Sequence, residues 1–214
     1  MELNRVSQKP CPVDIIAVAI NGKNSAQHCG IVYTNAAGAV QFCDMQFEHR
    51  LGVGFPPDNY FWAKVRLAVE EVLQIAVFVE MIIKQHNKRP LPYSFFYARD
   101  GFDATGRIRD GVGVTCATFV ANIFEQFQLP LVNLATWKTR PKQDSAFRQR
   151  IIDLATDDGN LPLVRRLLAE RATFRLKPWE VYGSATHNRY PVKFCQAVKL
   201  AKTVSTLVRK RALP

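Results

Sequence analysis

The chain has few residues suited to thiol–imidazole chemistry: five cysteines and four histidines. Cys116 stands out by its position. A stretch punctuated by Gly101, Gly106, Gly111 and Gly113 leads into Thr115, after which Cys116, Phe119, Val120, Ile123, Phe124 and Phe127 recur at helical spacing. In the first turn of a helix, unpaired main-chain amides and the helix dipole favour a thiolate over a thiol, which is how cysteine becomes a nucleophile. The same spacing also fits a structural cysteine turned to the core. A nucleophile needs a base, and among His28, His49, His86 and His187 the best placed is His28, at the start of a β-rich segment. Strand alternation puts His28, Gly30, Val32 and Thr34 on one face, where Gly30 leaves room for an approaching helix. A hairpin loop at Asn35 to Ala37 pairs Thr34 with Gly38, Val32 with Val40, Gly30 with Phe42 and His28 with Asp44. A thiol, an imidazole and a carboxylate would then meet, with the carboxylate fixing the tautomer and stabilising the imidazolium.

The run His28 to Tyr33 (HCGIVY), a hairpin whose second strand carries a polar residue, and the later block Gly113 to Val120 (GVTCATFV) together resemble the circularly permuted branch of NlpC-like papain-fold thiol hydrolases. The lecithin:retinol acyltransferase group is linked to this branch. Its hallmark is a His strand that precedes the Cys helix. The resemblance covers residues 13 to 127 and implies an α+β papain-like fold, a small antiparallel sheet packed on the nucleophile helix. It also implies roles: Cys116 as nucleophile, His28 as general base, Asp44 as the third polar residue. The Cys116 amide becomes one oxyanion donor and Tyr93 or Tyr97 a second, although both tyrosines also read as packing residues beside Phe95 and Phe96. His49 is the fallback orienting group.

The implied reaction is acyl transfer to water or another acceptor through a thioester on Cys116. A lipid acyl ester is the expected substrate, in a phospholipase-like reaction suited to a small antibacterial toxin with a cognate immunity or inhibitor protein. Cleavage of a cell-wall peptide (peptidoglycan) amide is the alternative. From another class comes a non-catalytic basic module that holds a membrane or nucleic acid. Nucleic acid is the weaker of these partners, because no stripe of exposed aromatics is interleaved with Lys and Arg. No cofactor is expected. The glycines lack the Gly-Lys-Ser/Thr ending of a P-loop, and the scattered cysteines form no CxxC pair, so neither a nucleotide nor a metal site is implied.

These side chains need a scaffold, and 214 residues supply one sizeable core, read as a single domain over 1–214. Hydrophobic residues at 48% and charged residues at 22% exclude a disordered chain. Strands are predicted over Val13 to Ile20, His28 to Thr34 and Gly38 to Phe47, with a turn at Asn21 to Asn24. A long helix is predicted between Asp58 and Asn87 on the stripe Trp62, Val65, Val69, Val72, Ala76, Val79 and Ile83, ending in a cationic His86. Tyr93 to Ala98 reads as extended. Further helices are expected over Ser145 to Ala155 capped by Asp144, Leu161 to Ala172 capped by Asn160, and Val192 to Val208.

The net charge of +11 is unevenly spread. After Glu180 there is no acid, and a basic helical part from about residue 181 carries seven Lys and Arg. Its final helix presents Lys199, Lys202 and Lys210 opposite an apolar side, which suits docking on the domain or an anionic membrane surface. No secretory leader or membrane span is read, since Gln74 and Glu80 interrupt the most apolar run; the expected location is the cytoplasm of the producing cell, or outside it by a signal-independent route.

Overall fold

The computed structural model describes residues 3–21, 27–46, 50–87, 89–95, 97–170 and 174–212. Among them the chain forms a mixed α+β architecture of six strands and six helices. The strands are β1 (Asn4–Arg5), β2 (Ala17–Asn21), β3 (Cys29–Thr34), β4 (Val40–Met45), β5 (Leu51–Gly54) and β6 (Tyr60–Lys64). They lie in the order β1-β6-β2-β3-β4-β5, with every neighbouring pair antiparallel.

Period-two alternation divides the sheet residues between two apolar clusters. Val18, Ile20, Cys29, Ile31, Tyr33, Cys43, Met45, Phe61 and Ala63 face the main core. On the opposite face Ala17, Ala19, Val32, Phe42, Tyr60 and Trp62 form a second, smaller cluster closed by Cys11 and Ile15. The Trp62 indole N–H donates to the Lys9 carbonyl at 2.8 Å, pinning the N-terminal segment over that face.

The helices are α1 (Val69–His86), α2 (Cys116–Gln126), α3 (Pro141–Asp157), α4 (Leu161–Ala169), α5 (Pro178–Ala185) and α6 (Phe194–Ala212). All six contribute to the main core. Helix α2 is central, burying every residue from Ala117 to Phe124. Its apolar side chains fill the space over β3 and β4, and the burial of Phe119, Val120, Ile123 and Phe124 contributes roughly 1.5–3 kcal/mol apiece.

Several expectations are corrected. The helix predicted from Asp58 starts only at Val69, because Tyr60, Phe61 and Trp62 are strand formers that pair with both β1 and β2. Val69 is consequently exposed, and the buried stripe of α1 is Val72, Ile75, Ala76, Phe78, Val79 and Ile82. His86 is not a cation at a helix end: burial lowers its pKa, and its Nε2 accepts the Ile108 N–H at 3.2 Å. Helix α3 starts at Pro141, which puts Asp144 in its first turn, where it accepts the Arg140 N–H at 2.9 Å. Asn160 caps α4 as expected, through Leu163 N–H at 3.2 Å. Helix α5 was not expected. The turn expected at 21–24 falls mostly outside the described residues, as do Phe47, His49 and Phe96.

Helix α6 docks on α5 through Ala197, Val204 and Val208, and a Cβ on Gly183 would stand 3.0 Å from the Ala201 nitrogen. Lys199, Lys202 and Lys210 face solvent. No helix among the described residues is long and apolar enough to cross a membrane.

Candidate active site

The hairpin β3–β4 decides where the carboxylate goes. Its loop is three residues long, as expected, but it is Ala36 to Gly38 rather than Asn35 to Ala37. Asn35 N–H bonds the Ala39 carbonyl at 2.9 Å, and the Asn35 side chain accepts from the amides of Ala37 and Ala39. Gly38 completes the turn at φ +77°, where a side chain would be strained. Moving the loop by one residue shifts every pair by two, so Thr34 faces Val40, Val32 faces Phe42 and Gly30 faces Asp44. A shift of two preserves the face. Asp44 therefore still projects on the side of His28, which precedes β3, and reaches it diagonally: His28 Nε2 and Asp44 Oδ2 are 2.5 Å apart.

Gly30 does not make room for a helix. The Phe42 ring lies over it, and a Cβ there would come within 2.6 Å of that ring and of the Cys43 carbonyl. A glycine the sequence reading missed matters more to the site. Gly52, on β5, pairs with Asp44, and a Cβ on it would collide with the Asp44 carboxylate and the Gln46 amide. The Gln46 side chain donates to Asp44 Oδ1 at 3.4 Å, so the carboxylate is held between His28 and Gln46 above a glycine whose replacement would push both side chains from their present places.

Cys116 is the first residue of α2. Thr115 caps the helix by accepting the Thr118 N–H at 3.2 Å, while the Thr118 hydroxyl receives the Thr115 N–H at 2.7 Å. The approach to the helix is fixed as well. Val114 N–H bonds the Pro92 carbonyl at 2.8 Å, and a Cβ on Gly113 would stand 2.6 Å from Ser94 Cβ, so residues 92–94 run alongside the segment that delivers Cys116. Buried Asn122 ties the preceding loop to the helix, accepting from Gly101 N–H and donating to the Thr118 carbonyl.

Cys116 and His28 lie within hydrogen-bonding reach of each other. Burial opposes a charged imidazole, but the hydrogen bonds to Asp44 and Cys116 and the negative charge of both outweigh it and raise His28 from 6.5 to about 10. Cys116 moves the other way. A hydrogen bond from the Cys29 thiol lowers its pKa well below the ordinary value, against burial, helped by the His28 hydrogen bond and charge and by the Cys29 main-chain N–H. Cys29 itself is fully buried and held well above the usual thiol range, so it remains a donor. The favoured state is a thiolate facing an imidazolium. With Nε2 committed to Asp44, Nδ1 is the ring nitrogen left for the sulfur. Cys116 is half-buried, and the side chains of His28 and Asp44 are 22% and 6% exposed.

The two tyrosines separate. Tyr97 donates its hydroxyl to Glu125 and stacks on Phe174 at 6.4 Å, which places its oxygen beside the last turn of α2, at the end away from Cys116. Tyr93 is buried edge-to-face against Phe95 at 5.6 Å, its pKa raised by that burial and by the nearby Cys116 charge, so it is the one at the Cys116 end. No cluster of metal-binding side chains occurs among the described residues. No protein-family model, curated protein or solved structure matches the chain.

Proposed function

We propose that the chain is a cysteine-dependent acyl hydrolase or acyltransferase of the circularly permuted, NlpC-like papain type. The observation that carries this reading is the convergence of three side chains, from the residue just before β3, from β4 and from the start of α2: the 2.5 Å bond between His28 Nε2 and Asp44, and a Cys116 thiolate favoured beside the same ring. In this mechanism the Cys116 sulfur attacks the substrate carbonyl and the Cys116 main-chain amide, the first of its helix and without an intrahelical acceptor, donates to the developing oxyanion. Imidazolium His28 gives its proton to the departing alcohol or amine. The thioester is then resolved by water or another acceptor, whose proton returns to His28 while Asp44 holds the ring. A lipid acyl ester is the substrate we favour, because the basic face of α6 suits an anionic surface; a cell-wall amide stands next.

The test is Cys116→Ala. Replacing the nucleophile should lower hydrolysis of a fluorogenic acyl ester on the order of 10⁴-fold or more. Intact-mass spectrometry of the native protein should reveal an acyl adduct that Cys116→Ala lacks. A fully active Cys116→Ala protein with an unchanged melting temperature would refute the proposal.

A further inference from the structure

The segment between α4 and α5 brings a cation to the candidate site that the proposed mechanism does not use. Arg175 is held on both sides. Phe174 stacks on Tyr97, Leu176 is buried, and the Arg175 carbonyl accepts from Arg140 Nη2. Its guanidinium carbon lies over the Phe147 ring of α3, 3.2 Å from the centroid. That ring continues a row of edge-to-face aromatics, Phe147 to Phe95 at 5.8 Å and Phe95 to Tyr93 at 5.6 Å, which ends on the strand of chain beside the Cys116 loop.

Every carboxylate in this neighbourhood has another partner. Asp144 accepts from the Arg140 main chain and lies 3.7 Å from its Nε. Glu180 is bound by Arg140 and by the Lys177 N–H, and Glu170 accepts the Phe95 N–H at 2.9 Å. Among the described residues the Arg175 guanidinium has no ion pair, and the charged groups that act on it are Asp144, Cys116 and Arg140, with the neutral Tyr93 phenol beside them. Burial lowers its pKa, as for a cation partly stripped of water, against the opposing pull of Asp144 and Cys116. A planar guanidinium already fixed by stacking loses little freedom on binding an oxyanion in a bidentate manner.

We propose that Arg175 is the anion-binding group of the candidate site, and that the acyl substrate carries a phosphate or carboxylate close to the scissile carbonyl. This rests on the reading of Cys116 as the nucleophile. Stacking on Phe147 sets the guanidinium, and the aromatic row between it and Tyr93 supplies an apolar wall along which the substrate lies.

Iodoacetate and iodoacetamide, which differ in a single negative charge, provide the test. Their alkylation rates at Cys116 are measured by mass spectrometry, with exposed Cys195 as the internal reference. The iodoacetate-to-iodoacetamide ratio at Cys116 should fall about tenfold in Arg175→Gln and to an intermediate value in Arg175→Lys, which keeps the charge and loses the planar fork. Using a ratio cancels any change in thiolate content. Stronger protection of wild-type Cys116 by inorganic phosphate than by acetate, at equal ionic strength, identifies a phosphate; the reverse identifies a carboxylate. An unchanged ratio in Arg175→Gln overturns the anion site and leaves the nucleophile standing. Failure of Cys116 to react with either reagent overturns both.

Discussion

Asp44→Asn isolates the charge of the orienting residue, since the amide keeps the carboxylate's shape over Gly52 and can still accept from the His28 ring. His28 titrates at about 10, and the raising influences divide between Asp44 and Cys116, each contributing a hydrogen bond and a charge. A charge-assisted hydrogen bond is worth about 1.5–3 kcal/mol. At about 1.36 kcal/mol per pH unit, exchanging it for a neutral bond of about 0.5–1.5 kcal/mol lowers the His28 midpoint by about 1 unit, to about 9. The Cys116 contribution persists, so the midpoint should remain above 6.5. Because the folded-state value is raised, protonated His28 contributes its full stability below 6.5 and loses it as pH rises through about 10. The lowered Cys116 value acts oppositely: its contribution is present above the ordinary thiol value of 9.0 and is lost as pH falls through the depressed one. The assay is a carbon-13 NMR titration of Cε1-labelled histidine, with the His28 signal assigned by its disappearance in His28→Asn. The alkaline limb of hydrolysis should move with that midpoint. A wild-type His28 titrating near 6.5, or a midpoint that Asp44→Asn leaves in place, would refute the reasoning.

Three further perturbations follow from the packing. Gly52→Ala forces the Asp44 carboxylate off His28, so turnover should drop on the order of 10²-fold and the His28 midpoint should fall as in Asp44→Asn, with circular dichroism unchanged. Gly30→Ala drives a methyl into the Phe42 ring and the Cys43 carbonyl, and urea unfolding should report a loss of about 1–3 kcal/mol. Reversing Lys199, Lys202 and Lys210 to Glu should abolish sedimentation with anionic vesicles at physiological salt, each lysine contributing about 1 kcal/mol, and leave sedimentation with neutral vesicles unaltered. Equal pelleting of both proteins on both vesicles would reduce the basic face to a solvated helix surface.

The parts of the site legible in the sequence are those written in local pattern. Thr115 and the apolar spacing behind it announce α2 and put Cys116 in its first turn, where the structure has it. The alternation around Ile31 and Val32 announces β3. Register was harder to read, because a three-residue loop fits Asn35 to Ala37 or Ala36 to Gly38, and only the preference of Gly38 for positive φ selects the second. Pairing slipped by two residues, an even number, and the carboxylate kept its face. Residues 60–64 misled for a different reason: Trp62 and Val65 extend the helical period of α1 by coincidence, and a five-residue aromatic strand is too short to break that pattern. Gly52, Gln46, Cys29 and Arg175 were beyond reach, since each acts through a neighbour supplied by a distant part of the chain.

The end of α6 touches the start of β1, where the Arg211 guanidinium donates to the Leu3 carbonyl across 208 positions of sequence. A few linker residues, each spanning at most about 3.3–3.6 Å, therefore suffice to join the two ends. The connection at 66–68, between the last strand and α1, where Arg66 and Ala68 are exposed, offers a place to cut. A chain reopened there begins with α1, reaches Cys116 early and meets His28 only near its close. The order in which Cys116 and His28 are synthesised would be inverted with no change in any contact between them. Which residue comes first is a property of where this closed loop of structure is opened, and the three side chains at the candidate site are indifferent to it.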